Sequence, residues 1–134
     1  MSADANIKTI AQAYEAFGRG DVAAILGMVT DDVDWAAEAA SDGAPWYGVR
    51  HGRDAVARFF MDYGSAVEVE EFAPVTFAAN ETDVLTVVRC RARARATGKS
   101  VAMDLHHYFK FNDGKIAYFR GTEDTAQTEA SLRA

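Results

Sequence analysis

The chain has 134 residues, 49% of them hydrophobic and 25% charged, and a formal net charge of −6. That length predicts one domain over residues 1–134 with a sizeable core, and the acidic balance argues against a nucleic-acid binder, whose domains are usually basic. No apolar run approaches the ~20 residues that span a bilayer, no basic and apolar leader opens the chain, and Cys90 is the single cysteine. No membrane partner and no internal disulfide are therefore expected, and a reducing cytoplasm is the simplest setting.

In chain order, Asn6 to Arg19 reads as an amphipathic helix, with Ile7, Ile10, Ala11, Tyr14 and Phe17 at three- and four-residue spacing and Gly18 and Gly20 ending it. Asp21 caps a second helix from Val22 to Val29. Asp31-Asp32 breaks the pattern before a short strand from Val33 to Ala37. Ala39 to His51 reads as a loop holding Trp46 and Tyr47. Gly52-Arg53-Asp54 opens a third helix, Ala55 to Tyr63, with Val56, Phe59, Phe60 and Tyr63 apolar. Val67 to Phe77 is a strand, bent at Pro74. The polar tail from Asp124 is expected to fray.

The stretch from Val84 to Thr122 is a meander of alternating strands. Arg89, Arg91, Arg93 and Arg95 share one parity, and Val88, Cys90, Ala92 and Ala94 the other. A two-residue turn at Thr97-Gly98 pairs Cys90 with Leu105, Val88 with His107 and Arg91 with Asp104. His107 then lies on the face of small apolar residues, which leaves room for a ligand. Segregated helices and strands imply an α+β domain. Helices packed on one face of a curved sheet make a cone whose mouth suits a small molecule.

Several motifs fall in a recognisable order: Gly20-Asp21 between helices, Asp31-Asp32 before a strand, Gly52-Arg53-Asp54-Ala55-Val56 at a helix start, and Phe109-Lys110-Phe111-Asn112-Asp113-Gly114-Lys115-Ile116 in the meander. Together they resemble the NTF2-like superfamily, and within it SnoaL-like and ketosteroid-isomerase-related proteins. The resemblance implies a cone of curved antiparallel sheet with three N-terminal helices on its concave face. It also implies a homodimer through the outer sheet face that bears Arg89, Arg91 and Arg93. The isomerases' general-base position corresponds to Ala37, their oxyanion aspartate to His107 and their helix-1 tyrosine to Ala13, one residue from Tyr14. Their mechanism is therefore not expected.

His107 is the leading catalytic candidate, because imidazole both donates and accepts and has a pKa of about 6.5. Tyr14 and a carboxylate, Glu123 or Asp124, are its expected assistants. The expected pocket wall is Trp35, Phe59, Tyr63, Val88, Met103 and Phe109, with Trp46, Tyr47 and His51 at the mouth. Trp35 also reads as plain core. Cys90 reads as a small apolar residue, and the arginine stripe as a solvated or subunit-contacting face. No metal-ligand spacing is present, and no cofactor is implied. Two functions follow. One is a cofactor-independent isomerase, cyclase or dehydratase acting by acid/base proton transfer on a small apolar carbonyl compound. The other is a non-catalytic module for apolar-ligand binding or dimerisation.

Overall fold

The computed structural model describes residues 2–134. Helix α1 runs Ala3–Gly18, capped by the Ser2 hydroxyl, which accepts from the Ala5 N–H at 3.0 Å. Helix α2 spans only Val22–Leu26, capped by Asp21. It ends three residues before the expected Val29, because Val29 opens strand β1, Val29–Ala37, opposite Ile116. The expected loop before the third helix ends in a strand, β2, Gly48–His51, antiparallel to β1.

Helix α3 covers Arg53–Ala66. The Arg53 guanidinium donates to the carbonyls of Leu26 (3.1 Å) and Val29 (2.8 Å) and pairs with Asp31, so the motif at the helix start ties α3 to the α2–β1 corner. Strands β3 (Val67–Ala79), β4 (Asp83–Ala94), β5 (Ser100–Asn112) and β6 (Lys115–Thr122) form the meander. The tail is ordered as helix α4, Thr125–Leu132. Its cap is Asp124, whose carboxylate accepts from the Gln127 N–H at 3.1 Å, so the expectation of fraying is corrected.

The strand order is β2-β1-β6-β5-β4-β3. All neighbours are antiparallel except β1 and β6, which run parallel, so the sheet is mixed rather than purely antiparallel. Helices α1 and α3 pack on the sheet, and α4 joins them against β4 and β5. Ile10, Val29, Val33, Val56, Val84 and Ile116 are fully buried at the centre. No helix among the described residues is long and apolar enough to cross a membrane.

The β4–β5 register differs from the sequence reading by two residues: Cys90 pairs with Met103, Arg89 with Asp104 and Thr86 with His107. The cause is the turn. The Arg95 N–H donates to the Ala66 carbonyl (2.9 Å), and the ladder closes on a bond from the Ala94 N–H to the Lys99 carbonyl (2.8 Å), so the connection is longer than two residues. A slip of two preserves side-chain parity, and His107 stays on the inner face. The β5–β6 turn has two residues, Asp113 and Gly114, both with positive φ, as a primed hairpin turn requires.

Strand β3 carries two bulges, between Val69 and Glu71 and between Pro74 and Thr76. The second accords with the bend expected at Pro74. The first changes the inward parity, placing Phe72 opposite the inward Cys90.

Candidate functional site

The inner faces of β1 and β3–β6, with α1, α3 and α4, enclose a cavity of about 110 Å³. Its wall is aromatic and aliphatic, with Tyr14, His107, Glu123 and Thr128 among the polar groups. Among the described residues, no lysine or arginine lines it. Hydrophobic pockets with few convergent polar groups are the usual form of small-ligand sites.

Tyr14 lies on α1 and His107 on β5, 93 positions apart in sequence, and the tyrosine hydroxyl sits 2.7 Å from His107 Nδ1. That is the only protein hydrogen bond of the imidazole among the described residues. Burial, and secondarily the neighbouring His106, lowers the His107 pKa from 6.5 to about 3, so the ring is neutral at physiological pH. Burial raises the Tyr14 pKa well above the usual phenol value and keeps it protonated. The contact therefore joins two neutral groups, and the phenol O–H donates to Nδ1 in the tautomer that carries the imidazole hydrogen on Nε2.

The ring is seated by neighbours on its own strand and on β6. Phe119 and Phe109 meet it edge-on at 5.0 and 6.0 Å. Gly121, opposite His107 on β6, supplies the space: a Cβ there would lie 2.9 Å from Phe119 Cζ and 3.2 Å from His107 Cδ2. Inside the sheet this glycine serves close approach.

Glu123 forms a second polar pole. Its carboxylate accepts a short hydrogen bond from the Thr128 hydroxyl, and the Trp46 indole N–H lies 3.5 Å from its other oxygen. Burial raises the Glu123 pKa, and the Thr128 and Trp46 bonds only partly offset this. Of the two carboxylates proposed from sequence, Glu123 lines the cavity. Asp124 is the cap of α4 and is exposed. Glu123 is tied to α4 and to Trp46, and His107 takes Tyr14 as its hydrogen-bond partner.

Trp35, Phe59, Tyr63, Met103 and Phe109 all line the cavity. Trp46 does too, but as a residue only 2% exposed and packed edge-on against Tyr63 (4.9 Å), rather than as a lid at the mouth. Tyr47 turns away and donates to Glu129 at 3.4 Å. His51 is exposed on β2 opposite Asp34, and Val88 is fully buried beyond the lining. These three do not meet the cavity, because β2 replaces the expected loop and because the β4–β5 register places Thr86, not Val88, opposite His107. Cys90 lines the cavity with its thiol pushed up to about 11 by burial, the state of an inert thiol.

The arginine row is on the outer face. Arg89 pairs with Asp104 (2.6 Å) and Arg93 with Glu68 (2.6 Å). Sequence reasoning missed Phe17, Phe60, Phe72, Phe119 and Gly121 as cavity residues. Phe17 and Phe60 were readable from helical spacing. Phe72 needed knowledge of a bulge, and Gly121 of its neighbour across the strands.

The sequence model of the SnoaL-like domain matches residues 10–119. An NTF2-like protein of unknown function from Burkholderia pseudomallei K96243 is similar over 100% of both chains, at 28% identity and a TM-score of 0.88. TerC, co-crystallised with polyporic acid, is similar over 97% of this chain and 99% of its own, at 20% identity and a TM-score of 0.87. A protein from Xanthomonas campestris pv. campestris, provisionally named a polyketide cyclase, is similar over 99% of this chain and 100% of its own, at 19% identity and a TM-score of 0.82. No curated protein matches the sequence.

Proposed function

As the chain belongs to the SnoaL-like domain family, we propose that its cavity binds a small, neutral carbonyl compound and moves a proton on it without a cofactor. The observation that carries this reading is the Tyr14–His107 pair, 2.7 Å apart in an aromatic cavity. His107 Nε2–H donates to the carbonyl oxygen and stabilises the enolate that forms, as a neutral imidazole can. The Glu123 carboxylate takes the proton from the carbon next to the carbonyl and returns it to another carbon, so atoms and charge balance over the cycle. Its raised pKa makes it a stronger base than a solvated carboxylate. Tyr14 is a positioning residue that holds the imidazole tautomer.

The wall supports the substrate class. With no lysine or arginine lining it among the described residues, the cavity offers no cationic side chain there to a phosphate or carboxylate. Polyporic acid on TerC, and the cyclase name given to the Xanthomonas protein, are compatible with a ring-bearing carbonyl compound. The engagement of both Glu123 oxygens favours the second reading, a binding module without chemistry. The outer sheet face, with Leu85 53% exposed beside the arginine row, supports a homodimer through that surface. The lone buried Cys90 accords with a reducing cytoplasm.

The test is a thermal-shift screen of the native protein and His107→Ala against steroids, aromatic polyketide-like ketones, terpenoid epoxides and fatty acids. A ligand that binds the folded state raises Tm by mass action. The reading expects ring ketones to stabilise the native protein more than the variant, with an isomerised, cyclised or dehydrated product by mass spectrometry. Stabilisation by fatty acids alone, equal in both proteins, contradicts it. Binding of ring ketones with no product selects the binding module.

A further inference from the structure

The inner cavity shares a wall with a second hollow. A groove of about 390 Å³ opens on the surface between the end of α1, the last turns of α3 and the start of β3. Phe17, Phe60, Tyr63, Val67 and Phe72 line both spaces. One layer of side chains, mostly aromatic rings, therefore separates groove from cavity. Within it the Phe17 and Phe72 centroids are 4.6 Å apart, and Phe17 lies 6.0 Å from Phe60. Phe72 also lies 6.2 Å from the His107 ring, so this partition ends at the Tyr14–His107 pair.

The sequence keeps the groove open. Gly18 and Gly64 both line it from within helices. Neither has a positive φ, and a Cβ at either would meet nothing within 4 Å. Gly18 is the last residue of α1, where glycine suits a helix end, but Gly64 lies inside α3, where glycine is the poorest helix former after proline; neither backbone conformation nor crowding accounts for Gly64, and the space it leaves is the groove. The bulge between Val69 and Glu71 contributes as well. Strict alternation from Val67 and Val69 would bring Glu71 inward, and the extra residue brings Phe72 instead. Bulges re-aim side chains beside functional sites.

Size gives the ligand's shape. The inner cavity, about 110 Å³, is comparable with a ~150 Å³ cavity that binds benzene, so it takes one small ring at most. We infer that the groove is a second subsite for the same ligand, which is bipartite: a small ring ketone sits against Tyr14–His107, and an uncharged apolar group of about one more ring lies in the groove once Phe17 and Phe72 turn aside. The groove's charged residues are Glu70, Glu71 and Arg95. Arg95 donates from Nε to the Gly64 carbonyl at 2.9 Å and its Nη1 lies 3.8 Å from Glu68, and the two carboxylates outnumber it, so the groove's charge does not favour an anionic group. This inference rests on the cavity reading proposed above.

The experiment is calorimetric titration of the whole protein with cyclohex-2-enone and with 4-phenylcyclohex-2-enone. Gly64→Phe fills the groove at a position with open space, and His107→Ala alters only the inner site. The native protein should bind the phenyl compound at least tenfold tighter than cyclohexenone. Gly64→Phe should remove that advantage and leave cyclohexenone binding unchanged. Equal affinity of the two probes for the native protein, or an unchanged advantage in Gly64→Phe, overturns the inference. If neither probe responds to His107→Ala while the phenyl advantage still depends on Gly64, the inner-site reading fails and the groove stands. Circular dichroism and urea unfolding of Gly64→Phe establish that a lost advantage is not lost folding.

Discussion

Acidification should destabilise the protein through His107 in a way its own replacement abolishes. The folded-state pKa of His107 is about 3, below the 6.5 of the unfolded chain. Between these values the unfolded chain binds a proton that the folded protein does not. The stability this group contributes is therefore complete above pH 6.5 and is lost as pH falls towards 3. Each pKa unit is worth about 1.4 kcal/mol, so the drop from pH 6.5 to 4.5 costs about 3 kcal/mol, and the whole window has a ceiling of about 5 kcal/mol. Domains of this size have ~5–15 kcal/mol to lose. The assay is urea unfolding at pH 7.5, 6.5, 5.5 and 4.5, read by the fluorescence of Trp35 and Trp46, both of which are buried. The other titrating groups remain in both proteins, so the comparison rests on slopes. His107→Phe, an apolar ring of similar size, should show a pH profile flatter than the native one by about 1.4 kcal/mol per unit below pH 6.5. Parallel profiles would mean that His107 titrates as freely as in the unfolded chain, and would refute the neutral buried imidazole.

Two further substitutions probe the frame of the site. Gly121→Ala puts a Cβ against Phe119 and His107 at 2.9 and 3.2 Å. It should cost about 1–3 kcal/mol by overpacking and shift the imidazole NMR resonances; native stability with unshifted resonances would deny Gly121 its spacing role. Arg53→Met removes the donor to the Leu26 and Val29 carbonyls. Unpartnered acceptors at that corner should lower unfolding stability by about 1–3 kcal/mol, and a variant within 0.5 kcal/mol of native, about the scatter of neutral surface changes, would show that water replaces the guanidinium at no cost.

The helices, the meander and the inward parity of His107 were legible because each rests on a local rule: helical spacing, strand alternation and turn residues. The errors lie where a distant partner decides. Val29 satisfies helical spacing after Asp21 as well as strand pairing, and Ile116, far along the chain, selects the strand. The β4–β5 register turned on whether Arg95 bonds across the hairpin or to Ala66 of another element. The tail, polar and small, carries a weak helical pattern, and α4 is held by contacts such as the Thr97 hydroxyl donating to the Ser131 carbonyl at 2.6 Å. At the site, Tyr14 and His107 were each named from sequence, and their direct bond follows from α1 lying across β3 and β4, beside β5. The choice between Glu123 and Asp124 needed the length of the Asp113-Gly114 turn. Phe72 was hidden because a bulge reverses the parity on which strand reading depends.

The central claim is proton transfer by the cavity, and solvent exchange measures it without knowledge of the natural product. Cyclic ketones and enones, incubated with the protein in deuterium oxide, are followed by proton NMR for deuterium entering the carbon next to the carbonyl. The account predicts exchange well above the buffer rate. It should fall to that rate in Glu123→Gln, which cannot accept the proton, and drop at least tenfold in His107→Ala. Tyr14→Phe should retain part of the activity, because the phenol only positions the imidazole. Exchange at the buffer rate for every ketone that binds, or exchange unaffected by Glu123→Gln and His107→Ala, would contradict the account and leave a binding cavity.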